Sequence, residues 1–196
     1  ENLVFLRSAP MEFCEVASMS MEALGCDHYD VFYPQPSDAA RAKRHWLEGV
    51  IRFFPWMATI DLFQHWIYTH PNHTRAQRSD EWMRLLDRFG QRSEHHDWSG
   101  FESSRQSMWQ RQIHLFHAAF YYVEYGIAML GALQVWMKAK HDPHAAIANY
   151  RAALALGGTR PLAELFSAAG IRFDFSEQTL RALMNAVHEE WQACEE

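Results

Sequence analysis

The stretch Phe120-Tyr-Tyr-Val-Glu-Tyr-Gly-Ile-Ala-Met-Leu-Gly-Ala-Leu-Gln-Val-Trp-Met-Lys-Ala-Lys140 decides the fold class. It lacks the apolar–polar alternation, bounded by turns, that marks a strand, and it reads as one helix over 120–140. The same helical spacing of apolar residues recurs through most of the chain, so the expected class is all-α and multi-helical. Upstream, a helix is expected over 103–117, parted from the first by Ala118 and Ala119 unless the two form one bent helix. Downstream, Asp142 and Pro143 supply an N-cap followed by proline at the first helical position. Two more helices are expected, Pro161 to Ala168 ended by Gly170, and Ser176 to about Cys194.

Toward the N-terminus, a helix is expected from Met11 to Leu24, ended by Gly25. Ser37 and Asp38 offer an N-cap for a long helix through Phe53. Pro55 should kink or break it before a further helix reaches Thr69, where Pro71 supplies the stop. Ser79 to Phe89 reads as a short helix closing at Gly90, and Gln91 to Ser99 as a loop. No repeat, low-complexity segment or linker interrupts the pattern, so residues 1–196 are expected to form a single helical unit.

Composition sets the outer bounds. A hydrophobic content of 48% over 196 residues is enough for a substantial core. The net charge of -6 is spread along the chain, without the concentrated basic face that nucleic acid requires. Phe116 to Trp136 is the most apolar segment, but Glu124 and its tyrosines argue against a membrane span of about 20 residues. Cys14, Cys26 and Cys194 are odd in number and far apart, which suits a reducing, cytoplasmic setting. The opening residues carry neither an initiator Met nor a signal-peptide pattern, as expected of an excised fragment or an expression scar.

Two constellations carry chemistry. On the first helix, Glu15 and Glu22 are seven apart and share a face, with Glu12 one turn before Glu15, amid Phe13, Val16, Met19 and Met21. A row of carboxylates on an apolar helix is either a solvated stripe or a set that needs a cation. In the second, Tyr122 and Tyr125 are three apart on one helix side and His114 precedes them by about two turns. Phenols and an imidazole can donate to an oxyanion formed in acyl transfer, or the aromatic stripe can simply be core. Asp61 and His65, four apart, read as a helical pair rather than a metal site. Glu94-His95-His96-Asp97 reads as a solvated loop. His188-Glu-Glu-Trp-Gln192 has glutamine where the zincin helix needs its second histidine, and is not a metal site.

These two segments resemble the thimet oligopeptidase and oligoendopeptidase F family of zinc metallopeptidases. Phe13-Cys-Glu-Val-Ala-Ser-Met-Ser-Met-Glu-Ala-Leu24 is similar to the helix that supplies the family's third zinc ligand, and Leu115 to Trp136 to its tyrosine-rich helix. Trp56-Met-Ala-Thr-Ile-Asp-Leu-Phe-Gln-His-Trp-Ile-Tyr68 also has the look of the oligoendopeptidase F branch. The resemblance covers nearly the whole chain. It implies that Glu15 is a zinc ligand and that Glu22 supports a zinc-bound histidine. It implies also that His114, Tyr122 and Tyr125 contact short peptide substrates and stabilise the tetrahedral intermediate. His117 and Ala119 stand where many relatives of the branch carry Glu and Pro.

The sequence contains no H-E-x-x-H, so two imidazole ligands and the general-base glutamate are missing from it. The resemblance therefore implies the C-terminal part of a peptidase catalytic domain, partnered by the missing N-terminal part of the same protein. Alone, it is expected to be inactive and to bind zinc incompletely. Surface bared around Phe120, Tyr121 and the first helix is expected to promote self-association. Two other readings stay open, a non-catalytic helical binding domain on a peptidase-like scaffold and a helical-bundle metalloprotein.

Overall fold

A computed structural model of the protein describes residues 3–89 and 97–194. The longer elements are α1 (Met11–Gly25), α2 (Pro36–Thr69), α3 (Arg75–Arg88), α4 (Glu102–Gln106), α5 (His114–His117), α6 (Tyr122–His141), α7 (Pro143–Ala155), α8 (Leu162–Ala168) and α9 (Glu177–Ala193). Short 3-10 turns occur at Val4–Leu6, Cys26–Val31 and Met108–Arg111. No strand occurs among the described residues, so the fold is all-α.

Three helix starts have local side-chain causes. Thr74 and Gln77 form a reciprocal capping box at α3, the Gln77 amide donating to Thr74 Oγ1 at 3.2 Å and the Thr74 amide to Gln77 Oε1 at 2.8 Å. Asp142 accepts from the Ala145 amide at 3.0 Å ahead of Pro143. Ser176 Oγ accepts from the Thr179 amide at 3.3 Å and opens α9.

Two expectations need correction. α2 runs unbroken across Pro55, although proline removes one helical hydrogen bond and costs about 3 kcal/mol in a helix interior. Buried residues before it, Leu47 and Val50, and after it, Ile60 and Phe63, outweigh that cost. The stretch 103–117 is not one helix but α4, a 3-10 turn and α5. Ser107 Oγ donates to the carbonyls of Ser103 at 2.8 Å and Ser104 at 3.3 Å, and Gln112 is non-helical at φ -85° and ψ 89°. α1 ends at Gly25 as expected, although that glycine keeps a right-handed φ of -68° and leads directly into the 3-10 turn at Cys26–Val31.

The chain divides into two compact units, Glu1–Ile51 with Glu124–Glu196, and Arg52–Val123. α2 and α6 each contribute residues to both. In the first unit the core gathers Phe13 and Val16 of α1, Ala128 and Val135 of α6, Tyr150 and Ala153 of α7, and Leu165 and Phe166 of α8. The Tyr150 hydroxyl donates to the Ala17 carbonyl at 2.7 Å. Gly131 lets α6 approach α1 and α8 closely, since a Cβ there would lie 3.0 Å from Val16 Cγ2 and 3.1 Å from Phe166. The second unit is built on Ile60, Phe63, Trp82, Leu85, Leu86 and Trp109.

A half-buried ion network ties together the first unit. Lys43 pairs with Asp27 at 2.7 Å and with Glu190, Lys140 pairs with Glu190 at 2.7 Å, and Trp136 Nε1 donates to Asp27 at 3.0 Å. Burial alone would raise the carboxyls of Asp27 and Glu190, but the lysine hydrogen bonds outweigh it and hold both below the usual carboxylate range. Burial likewise opposes the charge on Lys43, whose ammonium is nonetheless held above its ordinary value by its bonds to Asp27 and Glu190. Beside them the Cys26 thiol, buried and next to Asp27, is pushed up to about 12. Depressed carboxyls contribute stability that is present above their unfolded values and lost as the pH falls through the folded ones. Urea unfolding is therefore expected to show stability falling on acidification below about pH 4. Lys43→Met should make that acid-side fall shallower.

Candidate active site

On α1 the buried side is Phe13, Val16, Ser20 and Ala23. Glu12 and Glu15 lie beside it and are half-buried, whereas Glu22 is exposed. Ser18 Oγ donates to the Glu15 carbonyl at 3.1 Å and reaches Oε2 of the same residue at 3.4 Å, which holds this carboxylate against its own helix. A third acid joins them from α6. Glu124 Oε2 is buried with no hydrogen-bond partner among the described residues, and burial, followed by the charges of Glu12 and Glu15, raises its carboxyl above its ordinary value. Sequence reasoning used Glu124 only to argue against a membrane span. Its signal was there, an acid in the most apolar segment of the chain, but its partners are more than a hundred residues away.

The second constellation forms around His114. Its Nδ1 lies 2.8 Å from Gln112 Nε2. An amide nitrogen can only donate, so Nδ1 accepts and the ring proton sits on Nε2. Tyr121 stacks on the imidazole at 5.8 Å and 14°, and Tyr122 meets it edge-on at 5.1 Å and 69°. The turn that returns the tyrosines to the histidine passes through Phe120, whose φ of 58° is rare for a bulky residue. Two supports hold it. The Phe120 amide donates to Oε1 of the buried Gln64 at 3.0 Å, and its ring packs on His65 at 4.7 Å and Tyr68 at 5.1 Å. Neither Gln64 nor the stacking of Tyr121 on His114 was foreseen from the sequence. Tyr125 is half-buried and three residues beyond Tyr122 on α6, so the two share a helix side.

Glu15, Glu22 and Tyr125 thus belong to one compact unit, and His114 and Tyr122 to the other. The remaining candidates fall elsewhere. Asp61 and His65 form an i,i+4 pair at 3.6 Å. Glu94, His95 and His96 lie outside the described residues, and Asp97 accepts from the Ser99 amide at 2.9 Å. His188 stacks on Trp191 at 5.9 Å. The three cysteines are free.

No group of three His, Cys, Asp or Glu side chains that could hold a metal ion occurs among the described residues. One corner of such a site does fit. Glu15 offers a carboxylate on a rigid helix, and the acids around it place negative charge in a partly desolvated setting that a cation would stabilise.

Residues 2–185 match the profile of peptidase family M3. The chain belongs to that family. A protein assigned as oligoendopeptidase F is 28% identical, with a TM-score of 0.86 over 98% of this chain and 33% of its own. PZ peptidase A, solved with an inhibitor, is 26% identical, with a TM-score of 0.89 over 98% of this chain and 34% of its own. A Bacillus anthracis str. Ames protein assigned to oligoendopeptidase F shares the fold at 23% identity and a TM-score of 0.77, over 97% of this chain and 30% of its own. No curated protein matches. The M3 chain thus spans about a third of the length of these solved relatives, and the resemblance read from α1 and α6 is borne out. Family M3 comprises zinc metallopeptidases in general. No helix of the described residues is long and apolar enough to cross a membrane.

Proposed function

We propose that this M3 chain is part of a zinc-dependent oligoendopeptidase that hydrolyses peptide bonds in short peptides, with the H-E-x-x-H helix in a preceding part of the same protein. The reading is carried by the match of residues 2–185 to peptidase family M3, with Glu15 half-buried on α1 where the family resemblance implies a zinc ligand. In it Glu15 is the third ligand, and Glu22 accepts from a ligating imidazole and fixes its orientation. Bound zinc would polarise the scissile carbonyl and activate water. His114, with its proton on Nε2, and the hydroxyls of Tyr122 and Tyr125 then act as donors to the developing oxyanion. Tyr121 and Gln112 orient His114.

With one ligand of its own, the chain alone is inactive and lacks tight zinc binding. A quenched fluorescent peptide separates the outcomes. The longer protein is expected to cleave it and to stop on addition of a chelator, and the 196-residue chain to leave it intact. Chelator-insensitive cleavage would overturn the zinc mechanism, and a longer protein without cleavage would favour a binding domain on a peptidase scaffold.

A further inference from the structure

Within residues 52–123, the first turns of α3 and the segment 103–110 line an open pocket of about 470 Å³. Its walls carry Arg75, Arg78, Ser79, Ser103 and Gln106, with Trp109 against Arg78. Apart from Trp109, every described lining residue is a cation, a hydroxyl or an amide, and none is acidic.

The two arginines are three apart and share one side of α3. Arg78 is fixed in two ways, its Nε donating to His73 Nε2 at 2.8 Å and its guanidinium lying 5.5 Å from the Trp109 ring centre. Neither arginine pairs with a carboxylate among the described residues, unlike Arg84 with Glu81 or Arg105 with Asp87 nearby in the chain. The leading amides of α3 are engaged by the Thr74 and Gln77 capping box, so the donors facing a ligand are side chains. A held guanidinium fork is suited to a planar or tetrahedral oxyanion, and holding it in advance lowers the ordering cost of binding. The pocket is far larger than a bare anion and falls within the range of about 300–1,000 Å³ usual for small-molecule sites.

We infer that this pocket binds the oxyanion end of a small ligand, a phosphate or a terminal carboxylate, between Arg75 and Arg78. The inference stands apart from the peptidase reading and uses none of its residues. Arginine Nε–Hε signals of the full chain report on it, titrated at constant ionic strength with inorganic phosphate, with an acetylated tripeptide acid and with the tripeptide amide. Saturable shifts of Arg75 and Arg78 are expected with phosphate or the acid and none with the amide. Phosphate alone saturating assigns the phosphate source, and tighter binding of the acid assigns the carboxylate. Arg75→Gln, at an exposed position with no carboxylate partner among the described residues, should weaken binding about tenfold, as expected for loss of a charge-assisted bond. Gln106→Leu should weaken it less. Linear, unsaturating shifts, equal response to the amide, or unchanged affinity in Arg75→Gln would overturn the site.

Discussion

Glu15→Gln in the longer protein is expected to lower peptide hydrolysis by more than about 100-fold, because loss of a ligand's outer partner alone costs about 10–100-fold. Glutamine keeps the shape of the side chain and removes its charge, leaving a poor zinc ligand. Glu15 is half-buried at the edge of the α1 core and its side chain takes no part in that core, so the fold should survive. The readouts are zinc content by mass spectrometry, turnover of a fluorescent peptide, and the thermal midpoint. Zinc content and turnover should fall together while the midpoint stays within a few degrees.

The neighbouring acids make the comparison sharp. Glu22→Gln removes only the acceptor for a zinc-bound imidazole and should cost about 10–100-fold. Glu12→Gln removes a charge from the same partly buried group as Glu15, yet has no assigned bond to metal or ligand, and should retain most activity. Full zinc occupancy in Glu15→Gln would sink the ligand assignment. Loss of zinc in Glu12→Gln in its place would move the assignment one turn along α1.

The sequence and the structure agree where a few neighbouring residues decide the outcome. Helical spacing alone gives the all-α class, and Asp142 with Pro143 marks the start of α7. The Thr74 to Gln77 box was equally readable, yet the helix it opens was expected only from Ser79. Disagreement arises where tertiary burial competes with local preference. Pro55 cannot break α2 because buried apolar residues on each side hold it helical. The 103–117 segment breaks while Trp109 is buried, the hydroxyl of Ser107 turning back on its own backbone. In the site, spacing could place Glu15 and Glu22 on one face but could not separate a solvated stripe from a buried group. The structure divides them, Glu15 half-buried and Glu22 exposed. The left-handed Phe120 and its Gln64 anchor were not legible, since no local pattern asks for a positive φ at a phenylalanine.

Trp82→Ala should be the most damaging core substitution, at about 3–5 kcal/mol, the usual cost of deleting a buried aromatic side chain. Trp82 is fully buried in the Arg52–Val123 unit. Its ring meets Trp56 edge-on at 5.8 Å and Phe63 at 5.1 Å. Its Nε1 donates to the Arg105 carbonyl at 3.0 Å, so truncation both opens a cavity and strips an acceptor of its partner. Trp82→Phe keeps much of the volume and loses the hydrogen bond, and should cost less. Urea titration measures the total, and native-state hydrogen exchange shows where it falls. Amides of α3 and of the α2 segment around Ile60 and Phe63 should lose protection in Trp82→Ala. Those near Phe13, Val16 and Leu165 should keep theirs if the two units open separately. Equal loss across both would show instead that residues 1–196 unfold as the single cooperative body expected from the uninterrupted helical pattern.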